Sequence, residues 1–396
     1  MTDSVLTPSG PAPRGLATRP LTVLIAPDSF KGSLSAAEVA AALAAGWRRA
    51  RPRDTIELAP LADGGEGTLD GIAAGGGWDW QTAEVADPLG RPVLARWLLS
   101  SDGRTAALEM AEASGLWRVT AAERDPIAAT SFGTGQLLRA AAAAGVERMI
   151  LGIGGSATTD GGRGLVAALC GRPIHDQLTT LDLSVVDSAL RRIRLEVACD
   201  VSNPLLGSQG AAAIYGPQKG ASPDQVQQLD RALARWADEV DAAAGRDERH
   251  TPGAGAAGGV GFALLSLQGH VAAFALRPGV DLVMEATGFD PKLAHADLVI
   301  TGEGRIDEST AFGKTAQGVA RRAHAAGVAC VAVGGGLTRA GAEALRPLGA
   351  IAVPVIQAPM SVEEAIGLGA APIEAAAERI GELLQMGMAA AGSTGS

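Results

Sequence analysis

The chain reads as a two-domain α/β protein, and three observations carry that reading. Apolar, β-branched runs alternate with amphipathic helical segments near both ends of the 396-residue sequence. Between them the alternation breaks into short strands and turns. Most of the strand-like runs end in loops dense in glycine and acidic residues. Strands alternating with helices imply a parallel sheet covered on both faces.

The first predicted strand is 21–27, ending in Asp28-Ser29-Phe30-Lys31-Gly32. A helix over about 35–50 follows, with Val39, Leu43 and Trp47 at helical spacing and Glu38 at capping-box distance from Ser35. A second strand near 55–59 runs into Asp63-Gly64-Gly65-Glu66-Gly67, and a helix begins near Thr68. Residues 78–110 read as short strands with turns at Asp87-Pro88-Leu89-Gly90 and Ser101-Asp102-Gly103-Arg104.

A helix near 133–145 then leads to a strand at 148–153 and the loop Gly154–Gly162. After a further helix, a strand at 194–198 ends in Cys199-Asp200. Residues 223–244 form an amphipathic helix pattern, and the glycine-dense 253–261 opens another. From 297 the alternation returns. Strand 297–301 ends in Gly302–Asp307, helix 313–326 follows, and strand 328–333 ends in Gly334-Gly335-Gly336. Helix 338–346, strand 350–355 and a final helix over 361–388 close the pattern.

The expected architecture is a Rossmann- or flavodoxin-like open parallel sheet formed by both chain ends, 21–76 plus 293–388. A second α/β domain, 77–292, is inserted into it, and 1–20 and 389–396 are flexible tails.

Composition narrows the function. A hydrophobic fraction of 47% supplies a full core, and a net charge of −10 argues against nucleic-acid and anionic membrane partners. Cys170, Cys199 and Cys330 form no CxxC and are odd in number, which fits a reducing compartment better than a disulfide framework. The first twenty residues lack the apolar run of a secretion signal, so a cytoplasmic location is expected. A homo-oligomer is compatible with the sequence.

In open α/β sheets ligands bind beyond the carboxyl ends of the strands. Those ends deliver Asp28, Lys31, Asp63, Gly64, Gly65, Glu66, Glu303, Arg305 and Asp307. The inserted domain adds Gly154–Gly162, whose amides can cradle an anion, and Asp200 before Asn203-Pro204. Phosphoryl transfer needs donors around phosphates, a metal on one or two carboxylates and a group to orient the attacking hydroxyl. These residue types supply all three.

Each feature has a plainer reading. Asp63-Gly64-Gly65 can be a tight turn, Lys31 a solvated lysine, Gly154–Gly162 a structural loop and Asp200 a turn cap. Cys199 reads as a small buried residue, and His175 and His324 as surface residues. Gly313-Lys314-Thr315 resembles the end of a P-loop, but the required earlier glycine is Glu308. Gly253–Gly258 satisfies GxGxxG without a preceding strand, and Gly154–Thr158 lacks the last glycine of a nucleophile elbow.

The segments Ala26–Leu34, Ala62–Thr68, Thr130–Gly135, Gly152–Gly162, Cys199–Leu205, Tyr215–Gly220, Gly253–Gly261, Thr301–Asp307 and Gly313–Thr315 together resemble the type I glycerate kinase family over about 21–385. The resemblance implies ATP-dependent, magnesium-assisted phosphorylation of D-glycerate to phosphoglycerate, usually the 2-phosphate, in a cleft between two domains. On those motifs Asp200, Lys31 and Asp63 are the expected catalytic residues. Asp63 and Glu66 are the magnesium candidates. Substrate or phosphate contacts are expected from Asp28, Ser29, Gly64, Gly65, Gly154, Gly155, Ser156, Asp160, Asn203, Glu303, Arg305, Asp307 and Lys314.

One departure stands out. The stretch 171–195 is shorter than the family pattern carries, which leaves acceptor choice open. A kinase of another small hydroxy acid and a non-catalytic metabolite-binding regulator are the alternatives.

Overall fold

A computed structural model describes residues 19–174, 181–308, 310 and 315–393, with side chains to 387. Among these residues eleven strands run in chain order: β1 (Thr22–Ile25), β2 (Thr55–Leu58), β3 (Trp78–Ala86), β4 (Pro92–Ser100), β5 (Thr105–Glu109), β6 (Arg148–Gly152), β7 (Arg194–Ala198), β8 (Ala273–Arg277), β9 (Leu298–Ile306), β10 (Ala329–Leu337) and β11 (Ala350–Pro354). The chain packs as two compact units. One holds residues up to 63, 70–76 and 283 onward; the other holds 64–69 and 77–282.

The first unit is a five-stranded, all-parallel sheet in the order β11-β10-β9-β1-β2. Its helices pack against that sheet for local reasons. In the helix Ala36–Ala50, Ser35 and Glu38 form a reciprocal capping box, and Val39, Leu43 and Trp47 are fully buried. Gly46 lets this helix meet the last one, because a Cβ there would stand 2.0 Å from the Glu374 carbonyl oxygen. Gly75 lies against Thr287, 3.2 Å from where a Cβ would sit.

The second unit is a six-stranded mixed sheet, β3-β4-β5-β6-β7-β8. Its first three strands are antiparallel and the rest parallel. The helix Pro223–Ala244 begins at a Ser222 capping box and buries Leu229, Leu233, Trp236 and Val240 on one face. The turns at Asp87–Gly90 and Ser101–Arg104 separate β3, β4 and β5 as the sequence indicates.

Four elements differ from expectation. The loop expected at Gly302–Asp307 is largely strand: β9 runs to Ile306 because β10 continues beside it, pairing Glu303 with Gly334 and Arg305 with Gly336. The three glycines expected to end β10 lie inside it. The final helix is two, Val362–Gly367 and Ala371–Ser393, separated where Gly369 turns left-handed (φ 59°). At 253–261 regular helix starts only after Gly259, since Ala257, Gly258 and Gly259 all have positive φ. β8 and the helices Gly279–Ala286 and Phe289–His295 were not expected from the sequence.

No helix among the described residues is long and apolar enough to cross a membrane. The three cysteines are free, and burial pushes the Cys199 thiol up, away from nucleophile behaviour.

Candidate active site

In the first unit β1 lies between β2 and β9, so the strand order reverses there. Such a reversal opens a crevice beyond the carboxyl ends of the two central strands. Asp28 stands at that point, on the extension of β1, where its amide donates to the Gly302 carbonyl at 2.8 Å. Its carboxylate is buried and accepts from the Thr315 hydroxyl at 2.6 Å and from the Ser29 amide at 2.6 Å.

Burial, then repulsion from Asp63, raises the Asp28 carboxyl to about 6. The Lys31 ammonium is 3.6 Å from the Asp63 carboxylate, and its own titration is raised, chiefly by Asp63. The Lys31 side chain is 74% exposed. An ion pair this open contributes less than about 1 kcal/mol, so fold stability does not account for its position.

Glu303, on β9, is buried and accepts from the Thr310 hydroxyl at 2.5 Å. Arg305 follows two residues along the strand and pairs with Asp307 at 2.8 Å. Asp28, Ser29, Lys31, Asp63, Glu303 and Arg305 all line one cavity of about 650 Å³. Apolar side chains line it as well, among them Ile356, Met360, Val362, Ile366 and Ile373. Lys314 lies outside the described residues. Among those described, no group of three or more His, Cys, Asp or Glu is arranged to hold a metal; magnesium, however, commonly takes only one or two protein carboxylates.

The second unit gathers another set. Gly64 and Gly65 lie against the loop after β6: a Cβ on Gly152 would stand 2.6 Å from the Gly64 carbonyl oxygen, and one on Gly154 2.7 Å from the Gly65 Cα. Gly64 itself has φ 89° and faces Ala198, at the end of β7. Only glycine allows this backbone-to-backbone approach. Glu66 is exposed on the same loop.

Asp200 is exposed and accepts from the Gly279 amide at 3.1 Å. Asp160 organises its own loop, accepting from the Ser131 amide and hydroxyl, both at 2.8 Å, and from the Gly162 and Gly164 amides. Asn203 is committed at both ends, donating to Gln209 and accepting from the Tyr215 hydroxyl at 2.7 Å. Gly155 turns left-handed (φ 70°), and its carbonyl accepts from the Leu116 amide.

A glycerate kinase family model matches residues 23–385, nearly the whole chain. The chain belongs to the glycerate kinase family. It is thereby an enzyme of the phosphotransferase class. Among glycerate kinase relatives, the Bacillus subtilis (strain 168) "Glycerate kinase" is 46% identical over 333 residues, 81% of this chain and 86% of that one. The Escherichia coli (strain K12) "Glycerate 2-kinase" is 42% identical over 332 residues, 80% and 86% of the two chains. A crystal structure from Salmonella typhimurium LT2, assigned as a glycerate kinase 2, superposes with a TM-score of 0.80 at 41% identity, covering 94% of this chain and 100% of that one.

Three residues that hold these glycerate kinase motifs in place escaped the sequence reading. Thr315 anchors Asp28; its signal was the Gly313–Thr315 segment. Lys219 is fully buried in the second unit and donates to the Ser156 hydroxyl at 2.8 Å and the Thr158 carbonyl at 2.5 Å. Burial lowers its titration to about 7. It fixes the loop that carries Gly154 and Ser156. Glu109, buried at the end of β5, accepts from the Leu69 amide at 2.6 Å and so anchors the helix after Gly67. A lone buried Glu has no sequence signature.

Proposed function

We propose that this enzyme transfers the γ-phosphoryl group of ATP to the 2-hydroxyl of D-glycerate, giving 2-phosphoglycerate and ADP. Membership of the family supports a hydroxy acid as acceptor, and the name of the E. coli relative supports the 2-position. The observation that carries the reading is the cavity of the first unit, whose lining gathers Asp28, Lys31, Asp63, Glu303 and Arg305.

In this reading the bond between the γ-phosphorus and the ADP oxygen breaks while one forms to the substrate oxygen. Asp200 orients the hydroxyl and takes its proton, a contribution of about a hundredfold to ten-thousandfold. Lys31 and Arg305 hold the phosphate oxygens. The Gly64-Gly65 loop and the Gly154–Ser156 loop, the latter fixed by Lys219, present their backbone to the substrate. The acidic residues fit a magnesium ion, because the repulsion between Asp28 and Asp63 is only partly offset by the exposed Lys31. Asp63, with Glu66 directly or through water, would hold it. When bound, it neutralises charge on the transferring phosphate.

The test is a coupled ADP-release assay with ATP, magnesium and a panel of small hydroxy acids, with the product's phosphorylated carbon assigned by ³¹P NMR. D-glycerate should give the highest kcat/KM, and Asp63→Asn and Asp200→Asn should each lower kcat at least a hundredfold. Near-normal turnover in Asp200→Asn removes it from the chemistry. A different best acceptor makes the protein a kinase of that acid, and nucleotide or acid binding without turnover would favour a regulator.

A further inference from the structure

We infer that the apolar wall of the first unit's cavity, centred on Met360, Val362 and Ile366, is the seat of the nucleotide base, and that this unit therefore carries the whole nucleotide. The inference rests on the phosphotransfer reading above and adds to it the location of the base.

Size is the first argument. A volume of about 650 Å³ lies in the usual range for cofactor-sized ligands, and a three-carbon acid leaves most of it empty. Polarity is the second. The lining combines charged residues, Asp28, Lys31, Asp63, Glu303 and Arg305, with apolar side chains drawn from residues 355–373, which suits a molecule that carries both a flat, weakly polar ring and a polyanion. Glycerate is polar throughout and has no use for those apolar side chains.

Exposure is the third argument. Met360 is 39%, Val362 76% and Ile366 41% exposed, although Ile373 and Val355 beside them are 2% exposed. Three neighbouring large apolar side chains left open along one cavity mark a surface that a ligand covers. Approach is the fourth. Gly335 and Gly336 of β10 line the same cavity. A Cβ on Gly336 would meet nothing closer than the Arg305 side chain at 3.6 Å, so a ligand can lie directly on the backbone there. The strand ends beside the β1–β9 reversal are also where open parallel sheets bind nucleotides.

The test compares wild type with Ile366→Asp and Met360→Asp, whose side chains are partly open to solvent. Affinity is measured by calorimetry for ADP and for inorganic tripolyphosphate, each with magnesium, with circular dichroism confirming the fold. The expected result is an ADP Kd raised at least tenfold in both variants and a tripolyphosphate Kd changed less than twofold. Unchanged ADP affinity in both variants, with ATP-dependent turnover intact, overturns the base seat and leaves the phosphotransfer reading standing. Unchanged ADP affinity with loss of self-association assigns the wall to a second copy and overturns the inference. Equal loss of ADP and tripolyphosphate binding also overturns it, because the wall would then act on the phosphate end. A wild type that binds neither ATP nor ADP overturns both readings together.

Discussion

Asp28 is held in a state that costs the fold. In the unfolded chain its carboxyl titrates near 3.8, whereas in the folded protein burial and the nearby Asp63 raise it to about 6. Between those values the folded form keeps a proton that the unfolded form has released. Stability therefore falls as pH rises through this window and stays low above it. Roughly two units correspond to about 3 kcal/mol. Asparagine keeps an oxygen for the Ser29 amide and offers an N–H to the Thr315 hydroxyl. Asp28→Asn is thus expected to raise the unfolding free energy by about 1–3 kcal/mol at pH 8 in metal-free buffer. The gain should vanish below about pH 4, and turnover should fall at least a hundredfold. Urea titrations across pH check the first part; a gain independent of pH would show that carboxylate burial is not its source.

At the scale of elements, helix packing on the first sheet turns on a missing methyl. In an open helix Gly→Ala gains about 1 kcal/mol. At Gly46 the same change drives a Cβ into a backbone carbonyl of the facing helix, which a side-chain rotation cannot relieve. Gly46→Ala is expected to lose about 1–3 kcal/mol. Gly387→Ala, where nothing lies within 4 Å, should gain up to about 1 kcal/mol. Thermal unfolding of the pair reads the sign directly.

Legibility divides along the same line. The helices Ala36–Ala50 and Pro223–Ala244 were legible because capping boxes and apolar periodicity are local properties. The strand character of Gly302–Ile306 and Gly334–Leu337 was not, because it comes from the partner strand. Gly302 is small because Val333 crowds it: a Cβ there would stand 2.5 Å from the Val333 side chain. Likewise the GxGxxG of Gly253–Gly258 serves tight packing, since a Cβ on Gly258 would stand 1.9 Å from the Thr158 carbonyl oxygen. Close approach and tight turns draw on the same residue, and sequence alone does not separate them.

At the scale of the molecule, strand–helix alternation foretold a parallel sheet drawn from both chain ends, and the strand order adds the reversal between β1 and β9. The acidic strand ends Asp28, Asp63 and Glu303 were legible as candidates and line one cavity. Its apolar wall was not, because 361–388 reads as one continuous helix, whereas the chain breaks at Gly369.

The contact between Gly75 and Thr287 has its own consequence. The polypeptide departs from the parallel sheet and rejoins it at nearly the same spot, so the intervening two hundred or so residues are, topologically, a detour. A spliced gene linking 76 to 279 through a few Gly and Ser residues should yield a miniature protein that unfolds in one cooperative step, forfeits the Glu109 anchor and retains ADP binding without turnover. Chemical denaturation and an ADP titration of that miniature would show whether the sheet is autonomous or leans on the loop it has lost.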